Sequence, residues 1–323
     1  MYQSFYGLRE LPFELTPNPK YLYFTPSHRE ALSNLQYGLL AAKAVTIVIG
    51  EAGTGKTTLL RAALESERCR GTKCVSITNP ALTRDEFVEV LAREFELSAR
   101  AAASKAVLLA ELEAVLRQKR SAGEIVALFV DEAQSLSAAL LEEIRLLANI
   151  ETATQKLLPL VLAGQPELAD RLNEPGLRQL KQRVALRCEL KPLDLPDTAA
   201  YIASRIRSAG GNPANIFTRE AVTLIYEYSH GVPRTISVMC DNALMSGFAL
   251  DRRPVDRDMV REVCRDFDLY AAPATVPRPQ HLALVTTDPA QPSRNGAGNS
   301  SEGAGRPPQD AGKSRNESVI GLH

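Results

Sequence analysis

Gly50-Glu51-Ala52-Gly53-Thr54-Gly55-Lys56-Thr57 is the stretch that decides the fold. It fits the spacing G-x-x-x-x-G-K-[ST], and it lies between an apolar run at 45–49 and a helical pattern opening Thr58-Leu59-Leu60-Arg61. Glycines at those positions let the backbone wrap until its N–H groups converge on an anion, and the N-terminus of the following helix adds positive potential. The pattern therefore predicts a phosphate cradle over Gly50, Glu51, Ala52, Gly53, Thr54, Gly55, Lys56, Thr57 and Thr58. In it Lys56 reaches the β- and γ-phosphates of ATP, and the Thr57 hydroxyl holds Mg²⁺.

Working outward, short apolar runs at 45–49, 74–78, 125–130, 158–163 and 185–190 alternate with longer helical patterns. Such runs read as strands buried on both faces, and their alternation with helices implies right-handed β-α-β units. The expected fold class is α/β: a P-loop, five-stranded parallel sheet with helices on both faces. Thr83, with Glu86 three residues on, marks a capping box, and Leu82 is placed to staple against Phe87. After Leu193 the strand signals stop, and helical patterns at 197–208, 219–229, 234–250 and 256–266 predict a small all-α lid. Asp194 and Thr218 are the expected N-caps of the first two.

The run at 125–130 leads straight into Asp131-Glu132. A strand delivering two carboxylates at its C-terminal end puts Asp131 by the metal and Glu132 beyond it, where it can polarise a water. The run at 158–163 ends in Gly164-Gln165, which makes Gln165 the candidate polar contact to the γ-phosphate or the water. Arg178 and Arg183 precede the last strand, where a guanidinium can reach the ATP of a neighbouring subunit; both stay open as that arginine, with Arg183 preferred. Gly231-Val232-Pro233-Arg234 opens a lid helix, since proline pre-sets the first turn, and aims Arg234 at the phosphates.

The 323 residues carry 38 Lys+Arg and 38 Asp+Glu, so no global field draws the chain to nucleic acid or to an anionic membrane. Five scattered cysteines with no C-x-x-C pair read as reduced, mostly buried thiols of a cytoplasmic protein. The N-terminus lacks the pattern of a signal peptide, and no apolar stretch is long enough to span a bilayer. Residues 271–323 are rich in Pro and Gly and read as a disordered tail, with Leu282-Ala283-Leu284-Val285 as an apolar island. The expected organisation is an N-terminal segment at 1–40, a nucleotide-binding domain at 41–193, a helical lid at 194–270 and the tail.

These motifs together, with Asp131-Glu132-Ala133-Gln134, Ala163-Gly164-Gln165-Pro166-Glu167-Leu168 and Gly231-Val232-Pro233-Arg234, resemble the AAA+ ATPase domain of the ExeA / general secretion pathway protein A family. The opening Phe5-Tyr6-Gly7-Leu8-Arg9-Glu10-Leu11-Pro12-Phe13, Thr16-Pro17-Asn18-Pro19 and His28-Arg29-Glu30-Ala31-Leu32 is similar to that family's first segment. The resemblance implies an ATPase that forms nucleotide-dependent homo-oligomers and serves an inner-membrane secretion or export component. The chain lacks the transmembrane and peptidoglycan-binding parts of longer members, so it looks more like the ATPases of exosortase and exopolysaccharide systems. It would then be cytoplasmic, reaching the membrane only through a partner. Two other functions are compatible with the motifs: a DNA-transposition regulator of the same superfamily, and a nucleotide-gated scaffold without turnover. No appended DNA-reading module or basic stripe supports the first, and Glu132 argues against the second.

Overall fold

Five strands, β1 Val45–Gly50, β2 Thr72–Ile77, β3 Ile125–Val130, β4 Leu160–Gly164 and β5 Val184–Leu190, form one parallel sheet in the order β2-β3-β4-β1-β5. The computed structural model describes residues 1–16 and 19–267, so the expected tail and its apolar island lie outside the described residues. Pairing runs Val45↔Leu160 to Ile49↔Gly164 between β1 and β4, and Leu128↔Leu160 to Val130↔Leu162 between β3 and β4. This register sets the C-terminal ends of β3, β4 and β1 side by side.

Only the three inner strands are covered on both faces, which corrects the expectation that all five would be. β2 and β5 are the edges of the sheet; β2 exposes Lys73 and Ser76, and β5 exposes alternate residues, among them Arg187 and Glu189. Charged side chains there suit an edge, because they discourage further strand pairing. The strand expected from Leu158 begins at Leu160, since Pro159 has no N–H to give the ladder and serves it only as acceptor for Leu128 N at 3.0 Å. The second strand starts two residues earlier than its apolar run, with Thr72 and Lys73 paired to Ile125 and Val126.

Alternation along the inner strands sends side chains to two cores. Val45, Ile47, Val126, Leu128, Leu160 and Leu162 pack with the helices Arg84–Glu94, Lys105–Ser121 and Ala138–Leu147. Val48, Ala127, Phe129, Val161 and Ala163 pack with Pro26–Leu40 and Lys56–Glu65. The capping box forms: Thr83 Oγ1 accepts from Glu86 N at 3.3 Å, Glu86 Oε2 accepts from Thr83 N at 2.7 Å, and Leu82 packs on the cluster containing Phe87. Buried Glu143 accepts from Arg84 Nε at 2.6 Å and Lys105 Nζ at 2.8 Å, which ties the three helices of that face together.

The helices Leu195–Ser208, Arg219–Ser229, Pro233–Ala249 and Arg257–Asp266 share a third core of their own. Asp194, Thr218 and Asp256 cap three of them through their side chains. The opening segment divides between the cores. Tyr2, Tyr6, Leu8 and Phe13 are buried with these helices, Tyr2 donating to Asp241, while Pro26–Leu40 lies on the sheet. The chain leaving β5 is tied to the helical cluster where Leu193 N donates to Gly231 O at 2.8 Å.

Gly231 has φ +74°, and a Cβ there would lie 1.8 Å from the Leu193 carbonyl oxygen. Gly231→Ala combines a left-handed backbone with a backbone clash, so it should lower stability by about 2 kcal/mol or more in urea unfolding. Wild-type stability would mean that this join relaxes without cost.

Candidate active site

The loop after β1 closes on Lys56. Its side chain is buried, with Nζ donating to Gly50 O at 2.8 Å and Glu51 O at 3.1 Å. Burial lowers the Lys56 pKa, while Glu132, Asp131 and Glu51 pull it back up. The wrap needs its glycines: Gly53 and Gly55 have φ of +82° and +97°, and a Cβ on Gly50 would sit 2.7 Å from Thr54 Oγ1 and 2.8 Å from Leu190 O. Gly55 then starts the helix Lys56–Glu65, whose free N–H groups face a cavity of about 430 Å³.

Across the cavity stand the carboxylates at the end of β3. Thr57 Oγ1 donates to Asp131 Oδ2 at 2.9 Å, and Asp131 Oδ1 accepts from Glu132 N at 3.0 Å. Glu132 takes φ +50°, a left-handed conformation uncommon for a residue with a side chain and one that clusters at functional sites. A hydroxyl and a carboxylate oxygen in contact beside a lysine-bearing anion loop suit a small, oxygen-seeking divalent cation carried by a polyphosphate. The residues fit Mg²⁺ with a nucleotide.

Of the residues expected from sequence, Gly53 to Thr58, Asp131, Glu132 and Arg234 line this cavity, and Gly50 and Glu51 hold Lys56. Ala52 is exposed on the loop outside the lining. Arg234 is exposed and lies against the loop, its N–H donating to Gly53 O at 3.2 Å. Gln165 stands behind Glu132, with Nε2 3.4 Å from Glu132 Oε2, and is not part of the lining. Arg178 and Arg183 are not brought into the site. Arg183 sits just before the N-terminal end of β5, about 20 Å of strand from the loop at ~3.3 Å per residue, and Arg178 is exposed on a short helix.

Several residues in and around the cavity carried no expectation. Arg205 stacks its guanidinium 5.0 Å from the Tyr21 ring centroid and 5.1 Å from that of Tyr201, and its Nη1 donates to Pro12 O at 2.9 Å. Buried His28 shares a 2.6 Å hydrogen bond with Thr25 Oγ1 and places Nε2 3.4 Å from Thr54 O, which joins the Pro26–Leu40 helix to the phosphate loop. Gln134 links the ends of β3 and β4, donating to Glu132 Oε2 at 2.6 Å and accepting from Gln165 N at 3.0 Å. Its place two residues after Glu132 was the available signal, but its partner on β4 depends on strand order.

Residues 40–172 match the family described as AAA domain. Over 249 residues the chain is 42% identical to general secretion pathway protein A of Aeromonas hydrophila, an alignment covering 77% of this chain. The chain carries an AAA domain and resembles general secretion pathway protein A. It spans 45% of that relative's length. Among solved structures, the Aeropyrum pernix ORC2 protein in its ADPNP-ADP complexes superposes with a TM-score of 0.60 at 17% identity, covering 79% of this chain and 71% of that one. Cdc6p from Pyrobaculum aerophilum follows the same path, with a TM-score of 0.57 at 15% identity over 79% and 70%. These likenesses show the AAA+ fold. No helix among the described residues is long and apolar enough to cross a membrane.

His28 offers a test of how the Pro26–Leu40 helix is tied to the phosphate loop. Burial holds its pKa below the ordinary 6.5, outweighing the Thr54 carbonyl and Asp197, which both raise it. The unfolded chain therefore binds the proton first, so the stabilisation is present above about pH 6.5 and is lost as the pH falls through that value toward the folded pKa. Urea unfolding at pH 7.5 and 5.5 should show wild type losing stability and His28→Gln losing less. An equal loss in both proteins would place the pH sensitivity elsewhere.

Proposed function

We propose that the protein binds ATP·Mg²⁺ in the cavity between the phosphate loop and the helical cluster and hydrolyses it. The observation that carries this reading is the contact of Thr57 with Asp131, with Glu132 beside it on the same cavity wall. Lys56 turns from the carbonyls of Gly50 and Glu51 to the β- and γ-phosphates, and the backbone N–H groups of 53–58 hold the same oxygens. Thr57 and Asp131 would hold Mg²⁺, which when bound neutralises charge on the phosphates. Glu132 accepts the proton of the attacking water, a role that needs its carboxylate ionised and facing the cavity. Gln165 and Arg234 serve the same site, Arg234 from the side of the helical cluster.

The protein works as a homo-oligomer, with Arg183, or Arg178 beside it, supplying charge to the ATP of a neighbouring copy. That ORC2, a protein of the same fold, forms complexes with ADPNP and ADP supports a nucleotide as the ligand. Similarity to general secretion pathway protein A supports coupling of hydrolysis to the assembly or regulation of a cell-envelope secretion or export system. On this reading the chain acts at the cytoplasmic side of the membrane through a partner.

Lys56→Ala removes the loop's only positive charge and should abolish binding of a fluorescent ATP analogue; retained affinity would sink the assignment of the loop. Glu132→Gln should keep that affinity while turnover falls by about a hundredfold or more. A wild-type rate would remove Glu132 from the role of base.

Mixing tests the arginine. Arg183→Ala should bind ATP and hydrolyse it about 10³-fold more slowly. Its intact pocket can be completed by the Arg183 of a Glu132→Gln neighbour, so the two slow proteins should regain part of the activity when combined. If they co-assemble and the mixture stays slow, Arg178 takes the assignment.

A further inference from the structure

The reading of Glu132 as base leaves open what aims its carboxylate. Two amide donors converge on one of its oxygens: Gln134 Nε2 at 2.6 Å and Gln165 Nε2 at 3.4 Å, both on Oε2. Among the described residues no hydrogen bond reaches Oε1. Glu132 lines the cavity and neither glutamine does, so the glutamines approach from behind and leave one oxygen for the cavity side.

Gln134 is itself held from several directions. Its Oε1 accepts from Gln165 N at 3.0 Å, and a backbone N–H can only donate, so the amide NH₂ is the end that must face Glu132. Its backbone carbonyl accepts from Arg171 Nη1, which also donates to Leu136 O at 2.6 Å and so fixes the turn at Ala133–Ser135. Gly164 leaves room for the amide, since a Cβ there would come within 2.8 Å of Gln134 Oε1. The Glu132 backbone contributes as well, because its left-handed φ of +50° fixes where the side chain starts. The amide therefore reads the position of the β4 end through Gln165 N and passes it to the carboxylate at the β3 end.

We propose that Gln134 is a positioning residue, which holds the Glu132 carboxylate with Oε2 engaged and Oε1 presented to the attacking water. This rests on the assignment of Glu132 as base. A carboxylate released from Gln134, at 2.6 Å the nearer of its two amide partners, samples other rotamers, and misplacement of a catalytic group by about 1 Å can cost a hundredfold in rate. A merely structural glutamine would instead lower stability and leave turnover per folded molecule unchanged.

The test uses Gln134→Met, which keeps the length and removes the hydrogen bonds to Glu132 and from Gln165 N, and Gln134→Glu, which keeps an acceptor for Gln165 N but sets a second carboxylate against Glu132. Each is made alone and together with Glu132→Gln in the full chain, with melting temperature and affinity for a fluorescent ATP analogue measured beside kcat and KM. Gln134→Met should lower kcat about 10- to 100-fold with KM and affinity within about twofold of wild type, and Gln134→Glu should lower it further. In the Glu132→Gln background neither should add more than about twofold, because Gln134 acts only through Glu132. If Glu132→Gln is slow while both Gln134 variants keep wild-type kcat, positioning is overturned and the base assignment stands. A full additive loss in the double variants overturns it too, by giving Gln134 a separate role. If Glu132→Gln itself turns over normally, the base assignment fails and carries this proposal with it. Should Gln134→Met fail to fold, Gln134→Glu decides on the same criteria.

Discussion

A lysine ammonium enclosed by protein must be paired or lose its charge, and the loop around Lys56 is built on that requirement. Its Nζ is satisfied by two carbonyls of its own loop, Gly50 O and Glu51 O, which forces those carbonyls inward and the following N–H groups outward to the cavity. The curl is possible only because Gly50, Gly53 and Gly55 leave space or take positive φ. Glu132 and Asp131, which with Glu51 of the loop raise the Lys56 pKa against the lowering by burial, come from a different strand. They are within reach because the sheet order sets β3 one strand away from β1, across β4. Loop, acids and sheet topology are therefore one constraint, and an anion entering the cavity replaces carbonyls as the partner of an ammonium already in place.

The cavity's other wall is assembled from parts distant in sequence. Residues 2–13 belong to the helical cluster, through Tyr2, Tyr6, Leu8 and Phe13, while Glu14, Thr16, Tyr21 and Tyr23 line the cavity and Pro26–Leu40 lies on the sheet. Arg205 grips this segment by the Pro12 and Glu14 carbonyls, and His28 fastens its far end to Thr54. From the opposite side, Arg234 N meets Gly53 O and Leu193 N meets Gly231 O. Displacement of the helical cluster must carry with it both this segment and the Arg234 contact, so cavity shape and cluster position are mechanically linked.

What could be read from the chain follows from the range of each interaction. The phosphate loop, the Asp131-Glu132 pair, the Thr83 capping box and the caps at Asp194 and Thr218 are local, each fixed within a few residues by backbone geometry, and each formed where its residues stand. Edge exposure of β2 and β5 was not legible, because an apolar run looks the same whether or not a neighbour covers it; only strand order decides. The same holds for Gln134, whose acceptor role needs the β4 end beside the β3 end, and for Arg205 and His28, whose partners lie far along the chain. The opening segment carried no periodicity that could tell which core its aromatics would join.

The two arginines before β5 differ in what they would give up by serving a neighbouring copy. Arg183 stands close enough to Glu151 to help lower its pKa, a smaller effect than that of Lys156, which pairs with the same carboxylate. Removing Arg183 from that neighbourhood leaves Glu151 with its main partner, Lys156. Arg178 is exposed on a short helix with no ion pair among the described residues, so it is free to move but is not held in any direction. A guanidinium that must meet developing charge gains from being aimed before the reaction. Of the pair, Arg183 is the one with a charged neighbour of its own chain, Glu151, close to the strand it precedes. It lies about a strand's length from the loop of its own chain, so on the proposed reading it would serve the phosphates of another copy.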